Sequence, residues 1–270
     1  MLPPESARTA DVVFDSHCHL TDLEDPEDAL GQARAEGVAG MLTCGYNSES
    51  NLQVCALWDR HPELPVALGL HPWFAEENVA GVLRLIESRH PVAVGEAGLD
   101  FWEEPEGSAK RRQIDVLEAQ LELAVRLDLP VTLHSRKAVS GLLPILKNHP
   151  GLRGALHAYS GSYEQARAFV DLGFLIGIGG AVTRGRAKRV RRTAQQLPLE
   201  AIVLETDAPA IGMDGVEPPH VRPAHVVRVA RALAELRELD VPAVERQTDA
   251  NVRRLLGPRG WPAAAAGSDA

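Results

Sequence analysis

Eight short apolar runs punctuate this sequence, and their spacing limits the possible folds more than any other feature. They are Asp11–Ser16, Val38–Cys44, Pro65–Gly69, Pro91–Gly95, Pro130–Leu133, Gly154–Leu156, Phe174–Ile178 and Ala201–Leu204. They are rich in Val, Ile and Leu and bounded by Gly or Pro. Clean polar alternation is missing, as expected for parallel strands buried on both faces. Parallel neighbours need a crossover, and helix-length stretches stand between the runs. Asp25-Pro26-Glu27 opens one of them, with a capping carboxylate and then proline at the first helical position. Ser108–Asp128 is another, with Ile114, Leu117, Leu121, Val125 and Leu129 at helical spacing. Ala224–Glu238 and Val241–Leu256 predict two last helices, covering the closing strand and the bottom or side of the sheet. Eight strand–helix units within 270 residues predict an α/β fold, a (β/α)8 TIM barrel. A doubly wound open sheet is the alternative. No Gly/Ser-rich linker divides the chain. Residues 11–260 are therefore expected to be one domain, with a flexible N-terminus at 1–10 and a flexible tail at 261–270.

The formal net charge of −9 excludes a protein that coats nucleic acid by bulk positive charge. It does not exclude a polyanion substrate, because metal ions and a local basic patch can reverse the field at a site. The cysteines, Cys18, Cys44 and Cys55, form no CxxC pair and no disulfide framework. They predict a reducing compartment, hence a cytoplasmic protein. The opening residues hold no signal-peptide core, and no segment approaches the ~20 apolar residues of a membrane helix. No membrane association is expected. A monomer is compatible with this reading.

The residues that carry chemistry cluster at one end of the runs. His17 and His19 follow the first run, and their spacing of two puts both imidazoles on one side of an extended chain. Glu96 follows the fourth run, where a buried carboxylate is costly unless paired or bound to a cation. His134 follows the fifth, His157 the sixth, and Asp207 comes shortly after the eighth. Each alone has an ordinary structural reading, as a hydrogen-bonded histidine, an ion pair or a cap. Together they place four imidazoles and two carboxylates on the C-terminal rim, where TIM barrels build their sites. That donor set suits one or two divalent transition ions.

These residues sit within a longer series: Phe14-Asp15-Ser16-His17-Cys18-His19-Leu20, Gly69-Leu70-His71-Pro72, Gly95-Glu96-Ala97-Gly98-Leu99-Asp100, His134-Ser135-Arg136, His157-Ala158-Tyr159-Ser160-Gly161-Ser162 and Glu205-Thr206-Asp207-Ala208-Pro209. In this order the chain resembles the TatD family of metal-dependent hydrolases, of the amidohydrolase superfamily, from about residue 12 to Asn251–Leu256. The resemblance implies a deoxyribonuclease or phosphodiesterase, a 3′-5′ exonuclease using a metal-activated water, with DNA as its substrate. It also implies a (β/α)8 barrel holding two divalent metal ions, Zn, Mg or Mn. His17, His19 and Asp207 match the ligands of one ion, and His134 and His157 match ligands of the second. Glu96 matches the carboxylate that bridges them. Asp207 and Glu96 are the implied catalytic residues, with Asp207 placed to take the proton of the attacking water. None of Lys110, Lys137, Lys147 and Lys188 ends the fourth strand, which argues against the carboxylated-lysine bridge of related superfamily members. Where family members carry Asn-Glu-Pro, this chain reads Glu217-Pro218-Pro219-His220-Val221-Arg222-Pro223. The stretch Phe101–Ser108 is rich in Glu beside a face expected to meet a polyanion.

Further residues are candidates for substrate binding. His71 is a candidate donor to a phosphate, or a structural hydrogen bond. Arg136 is a candidate bidentate phosphate contact, or a surface ion pair. Glu205 is placed to orient a ligand. Arg184–Arg192 reads as a phosphate contact or as a solvated helix face. Trp73, Phe74, Phe101 and Trp102 read as base-stacking surfaces or as rim packing. A DNA-directed metal-dependent nuclease is the leading reading. The alternative is a metallohydrolase of a small or non-nucleic substrate, an ester, lactone, amide or aminoacyl ester. A catalytically silent metal-binding protein is the third.

Overall fold

The computed structural model describes residues 13–103 and 106–258. The expected flexible ends, 1–10 and 261–270, lie outside the described residues, as do Asp11, Val12, Glu104 and Pro105. Eight strands follow one another: β1 Val13–Cys18, β2 Val38–Cys44, β3 Val66–Leu68, β4 Ala93–Asp100, β5 Val131–Arg136, β6 Gly154–Leu156, β7 Phe174–Ile178 and β8 Ile202–Leu204. Each pairs in parallel with the next, giving one sheet in the order β1 to β8. The ring closes at its C-terminal rim. Asp207 N donates to His17 O at 2.9 Å, and His19 N donates to Ala208 O at 2.8 Å. The barrel reading holds, and the open-sheet alternative falls.

The helices are α1 Pro26–Ala35, α2 Ser48–Arg60, α3 Val79–Arg89, α4 Gly107–Leu127, α5 Val139–Lys147, α6 Tyr163–Val170, α7 Lys188–Gln196, α8 Val226–Arg237 and α9 Val241–Leu256. The Asp25 side chain caps α1 by accepting from Asp28 N, with Pro26 in the first turn, as the sequence predicts. In α4, Leu117 and Leu121 are buried, but Val125 is 48% exposed and leaves the apolar stripe. Leucines and valines of the helices and strands fill the layer between them. A second cluster fills the lower barrel: Phe14, Leu42, Ala67, Ala93, Ala155 and Val203 meet Val252, Leu255 and Leu256 of α9. The last helix therefore plugs the bottom, which removes that end from solvent and leaves the other end open.

Three strands run further than their apolar content predicts. β1 reaches Cys18, β4 reaches Asp100 and β5 reaches Arg136. Polar side chains ended the apolar runs at Ser16, Gly95 and Leu133, but a parallel ladder is held by backbone groups. Gly98 pairs with His134, Leu99 with Ser135 and Asp100 with Arg136. At Gly98, φ is +153° and an added Cβ would lie 2.1 Å from His134 O, so only glycine lets these strands meet. Thus His17, Glu96 and His134 stand within strands rather than beyond them, on the stiffest part of the fold.

Candidate metal centre

Glu96 is the hub of the rim. The β4–β5 register shifts between Val94 and Ala97, and Glu96 N turns to donate to Gly45 O at 2.8 Å. The carboxylate then points into a ring of imidazoles. Its Oε2 lies 3.4 Å from His17 Nε2 and 3.3 Å from His19 Nε2. Its Oε1 lies 2.9 Å from His157 Nε2 and 3.2 Å from His134 Nδ1. One carboxylate oxygen thus faces the β1 pair, and the other faces the β5 and β6 histidines. Asp207 Oδ1 lies 3.3 Å from His19 Nε2, and its Oδ2 lies 4.0 Å from His157 Nδ1. The His17 and His157 rings stack at 3.9 Å with 9° between planes. All six residues singled out as metal ligands therefore converge in one buried cluster.

The far side of each imidazole is also engaged. His19 Nδ1 donates to Cys44 O at 3.0 Å, which leaves Nε2 for the centre. His17 Nδ1 pairs with Thr132 Oγ1 at 2.8 Å across the barrel. His134 Nε2 donates to Asp100 Oδ2 at 3.2 Å and turns Nδ1 inward. Such partners fix the tautomer and ring orientation of metal-binding histidines. Asp15 works one step further back: its Oδ1 accepts from Thr206 N at 2.9 Å and from His17 N at 3.3 Å. Glu205 Oε1 accepts from the amide of Ala158, next to His157.

Charge is balanced in favour of cations. Burial would raise the Glu96 and Asp207 carboxyls, but the surrounding imidazoles hold both below their ordinary range. Burial would lower His134, yet its bonds to Asp100 and Glu96 outweigh that and lift it to about 9. His19 is lifted in the same way by Asp207 and Glu96. Burial and the neighbouring His157 push His17 down to about 4. Glu205 goes the other way, raised by burial and by Asp207. Two carboxylates held below their ordinary range thus meet two imidazoles, His19 and His134, held above theirs. His157 Nδ1 is buried with no hydrogen-bond partner. Donor atoms of His17, His157 and Asp207 lie within 4.8 Å of one another, as do those of His17, His19 and Glu96. An orphaned imidazole nitrogen among paired carboxylates is what a divalent ion resolves, so the donor set fits.

The TatD related DNase family model matches residues 14–257. The chain belongs to the TatD family. It is 40% identical over 235 residues to the uncharacterized metal-dependent hydrolase YjjV of Escherichia coli K12, covering 83% of this chain and 90% of that one. It is 35% identical over 260 residues to the 3'-5' ssDNA/RNA exonuclease TatD of Pantoea ananatis, covering 91% and 99%. The crystal structure of the TatD homolog YjjV from E. coli superposes with a TM-score of 0.84 at 35% identity, over 91% of this chain and 98% of the other. This TatD chain is accordingly a metal-dependent hydrolase.

The TatD centre opens into a cavity of about 580 Å³ lined by Tyr46, His71, Trp73, Phe74, Arg136 and Ile211 as well as His19, Glu96, His134, His157 and Asp207 of the cluster. His71 Nδ1 accepts from Trp73 N at 3.1 Å, so its Nε2–H faces Glu96 Oε1 at 3.3 Å. Burial pushes His71 down to about 3, which keeps it neutral. Arg136 is half-exposed, lies 3.9 Å from Asp100 Oδ2 and stacks over Trp102 at 4.0 Å. Trp73 is 65% exposed although its indole N–H is fixed by Asp100 Oδ2 at 2.8 Å. Trp102 is 51% exposed, while Phe74 and Phe101 pack against the core. Asp100, Thr132 and Asp15 received no role from the sequence. A signal was present: Thr132 and Asp15 each stand two residues before a candidate ligand in an extended strand, and so share its face.

Proposed function

We propose that this chain is a phosphodiesterase that removes nucleotides from the 3′ end of DNA, loaded with two divalent ions. The observation that carries the reading is the split of Glu96, whose two oxygens face two separate imidazole pairs. His17, His19 and Asp207 would hold one ion, His134 and His157 the other, with Glu96 shared. When bound, such ions polarise a phosphodiester and lower the pKa of water at neutral pH. Asp207 accepts the proton of the attacking water, since its carboxylate stays ionised and borders the cavity. Asp100 and Thr132 hold His134 and His17 in orientation. His71 steadies Glu96 through its N–H. Arg136, half-exposed at the mouth, offers its guanidinium to a non-bridging phosphate oxygen. The 3'-5' ssDNA/RNA exonuclease name of the Pantoea relative supports the polarity and the polymer. The three cysteines are free and buried, which supports a cytoplasmic setting. Among the described residues, no helix is long and apolar enough to cross a membrane.

The test is end-labelled single-stranded DNA incubated with metal-free protein, then with Mg²⁺, Mn²⁺ or Zn²⁺, beside elemental analysis of the loaded protein. The reading expects about two ions per chain and release of mononucleotides that chelator abolishes. Full-length DNA under every metal, with turnover of aryl esters or lactones instead, defeats it. Asp207→Asn should lower kcat by about 10²–10⁴ while the protein stays folded. Retained turnover in that variant, with metal content confirmed, removes Asp207 from its role.

A further inference from the structure

The centre is flanked by two smaller cavities. One, of about 440 Å³, mixes Glu76, Asp100 and Glu103 with Arg112, which is paired with Glu76, and Arg136. The other, of about 210 Å³, runs from His134, His157 and Asp207 to Ala181 and Val190. Val190 lies in α7, and the segment around it, Arg184–Arg192, holds six Lys or Arg in nine residues and no acid. Arg191 Nη1 donates to Val182 O at 2.8 Å and fastens the helix beside the cavity. Arg186, Lys188 and Arg189 are exposed, and among the described residues their side chains take part in no ion pair or hydrogen bond. Some surface arginines elsewhere, Arg34, Arg60, Arg89, Arg126 and Arg153, each meet a carboxylate, while exposed Arg84, Arg111, Arg231 and Arg246 meet none among the described residues, so this segment is set apart by its density of cations beside the centre. Local helix stability does not account for the pattern either. Lys188 and Arg189 sit in the first turn of α7, where the positive end of the helix dipole disfavours cations.

We propose that the exposed Arg186, Lys188 and Arg189, at and just before the start of α7, form a track for the phosphodiester backbone of single-stranded nucleic acid. It carries the strand away from the metal centre across the β6–β7 side. This rests on the nuclease reading and adds a direction to it. The other flank sets Glu76, Asp100 and Glu103 beside its Arg112 and Arg136, whereas the Arg184–Arg192 segment supplies cations with no acid among them. Every phosphate held there releases counterions, so binding through the track is salt-dependent.

The test uses chelated full-length protein and 5′-labelled dT12 and dT2, with Kd read by fluorescence anisotropy from low to physiological salt. The wild type should prefer dT12. Replacing all three side chains, Arg186→Ala, Lys188→Ala and Arg189→Ala, should raise the dT12 Kd roughly tenfold. The slope of log Kd against log salt should fall by about 2, at ~0.7 for each phosphate that the variant no longer neutralises. The dT12 preference should shrink towards none, whereas Arg186→Lys with Arg189→Lys, which keeps the charges, should retain it. A triple variant that keeps the wild-type slope and length preference overturns the track. So does a variant that binds dT12 normally but loses phosphatidylserine vesicles, which would make the face a lipid-binding one. Adding divalent ions separates the two readings. Tight dT12 binding without cleavage overturns the nuclease reading alone, and cleavage without any length preference overturns the track alone.

Discussion

Asp100 holds His134 by its Nε2–H and Trp73 by its indole N–H, so one carboxylate sets both a candidate ligand and the aromatic wall beside it. Burial would raise Asp100, but those bonds and the Trp102 amide hold it at about 2. An amide in its place keeps the size and loses the charge. Asp100→Asn should weaken divalent-ion affinity by about 10–100-fold with little change in stability, measured by competition with a metal indicator. Unchanged affinity would remove Asp100 from the centre. The His134 proton makes a pH prediction. Its pKa rises from the ordinary 6.5 to about 9 in the folded, metal-free chain. The associated stability is fully present below 6.5 and is lost as pH rises through 9. Metal must displace that proton, so affinity should rise with pH across this window, by about tenfold per unit for one proton released. Isothermal titration at pH 6.5, 7.5 and 8.5 checks it, and a flat Kd contradicts it.

β3 and β6 have only three residues each, and the loop leaving β3 must still place His71 precisely. Two buried amides supply the missing rigidity. Asn51 of α2 donates through Nδ2 to Gly69 O at 2.7 Å and accepts from Gly69 N at 3.1 Å. Gln120 of α4 accepts from Leu70 N at 2.7 Å and donates to Leu70 O at 3.0 Å. Each side chain mimics a neighbouring strand for one residue. Gln120→Leu leaves a buried N–H and a buried C=O unpaired, and should cost about 2–4 kcal/mol in urea unfolding. A loss below ~1 kcal/mol would mean that the loop finds other partners. Gln120 was invisible in the sequence, where it sits inside the amphipathic run Ser108–Asp128 as one polar residue among many. Val125 shows the converse: the helical period placed it with Leu121, but its neighbours leave it 48% exposed. Periodicity specifies a face, and the elements packed against the helix decide how wide that face is.

The barrel is sealed below by α9 and open above, so its charged end is held together by polar bonds rather than by apolar packing. Ions held there as proposed would cross-link β1, β4, β5 and the segments after β6 and β8, and should stabilise the folded state by mass action. At 100-fold excess over Kd the gain is about 2.7 kcal/mol, or roughly 5–10 °C in Tm for a chain of this size. Thermal melts with and without chelator check this, and identical melts would mean that the centre is not loaded. The order of eight buried strands, their parallel sense and the rim residues were all legible along the chain. Apolar runs and their Gly and Pro boundaries act over a few neighbouring residues, and alternation needs no distant partner. The ends of β1, β4 and β5 were not legible, because a polar residue paired through its backbone looks like a loop residue. Nor was the direction of each imidazole. His134 is turned by Asp100 from 34 residues away, His17 by Thr132 from 115, and Asp15 grips Thr206 across 191. Ring orientation depends on which acceptor stands behind each nitrogen, and only closure of the barrel brings those acceptors near.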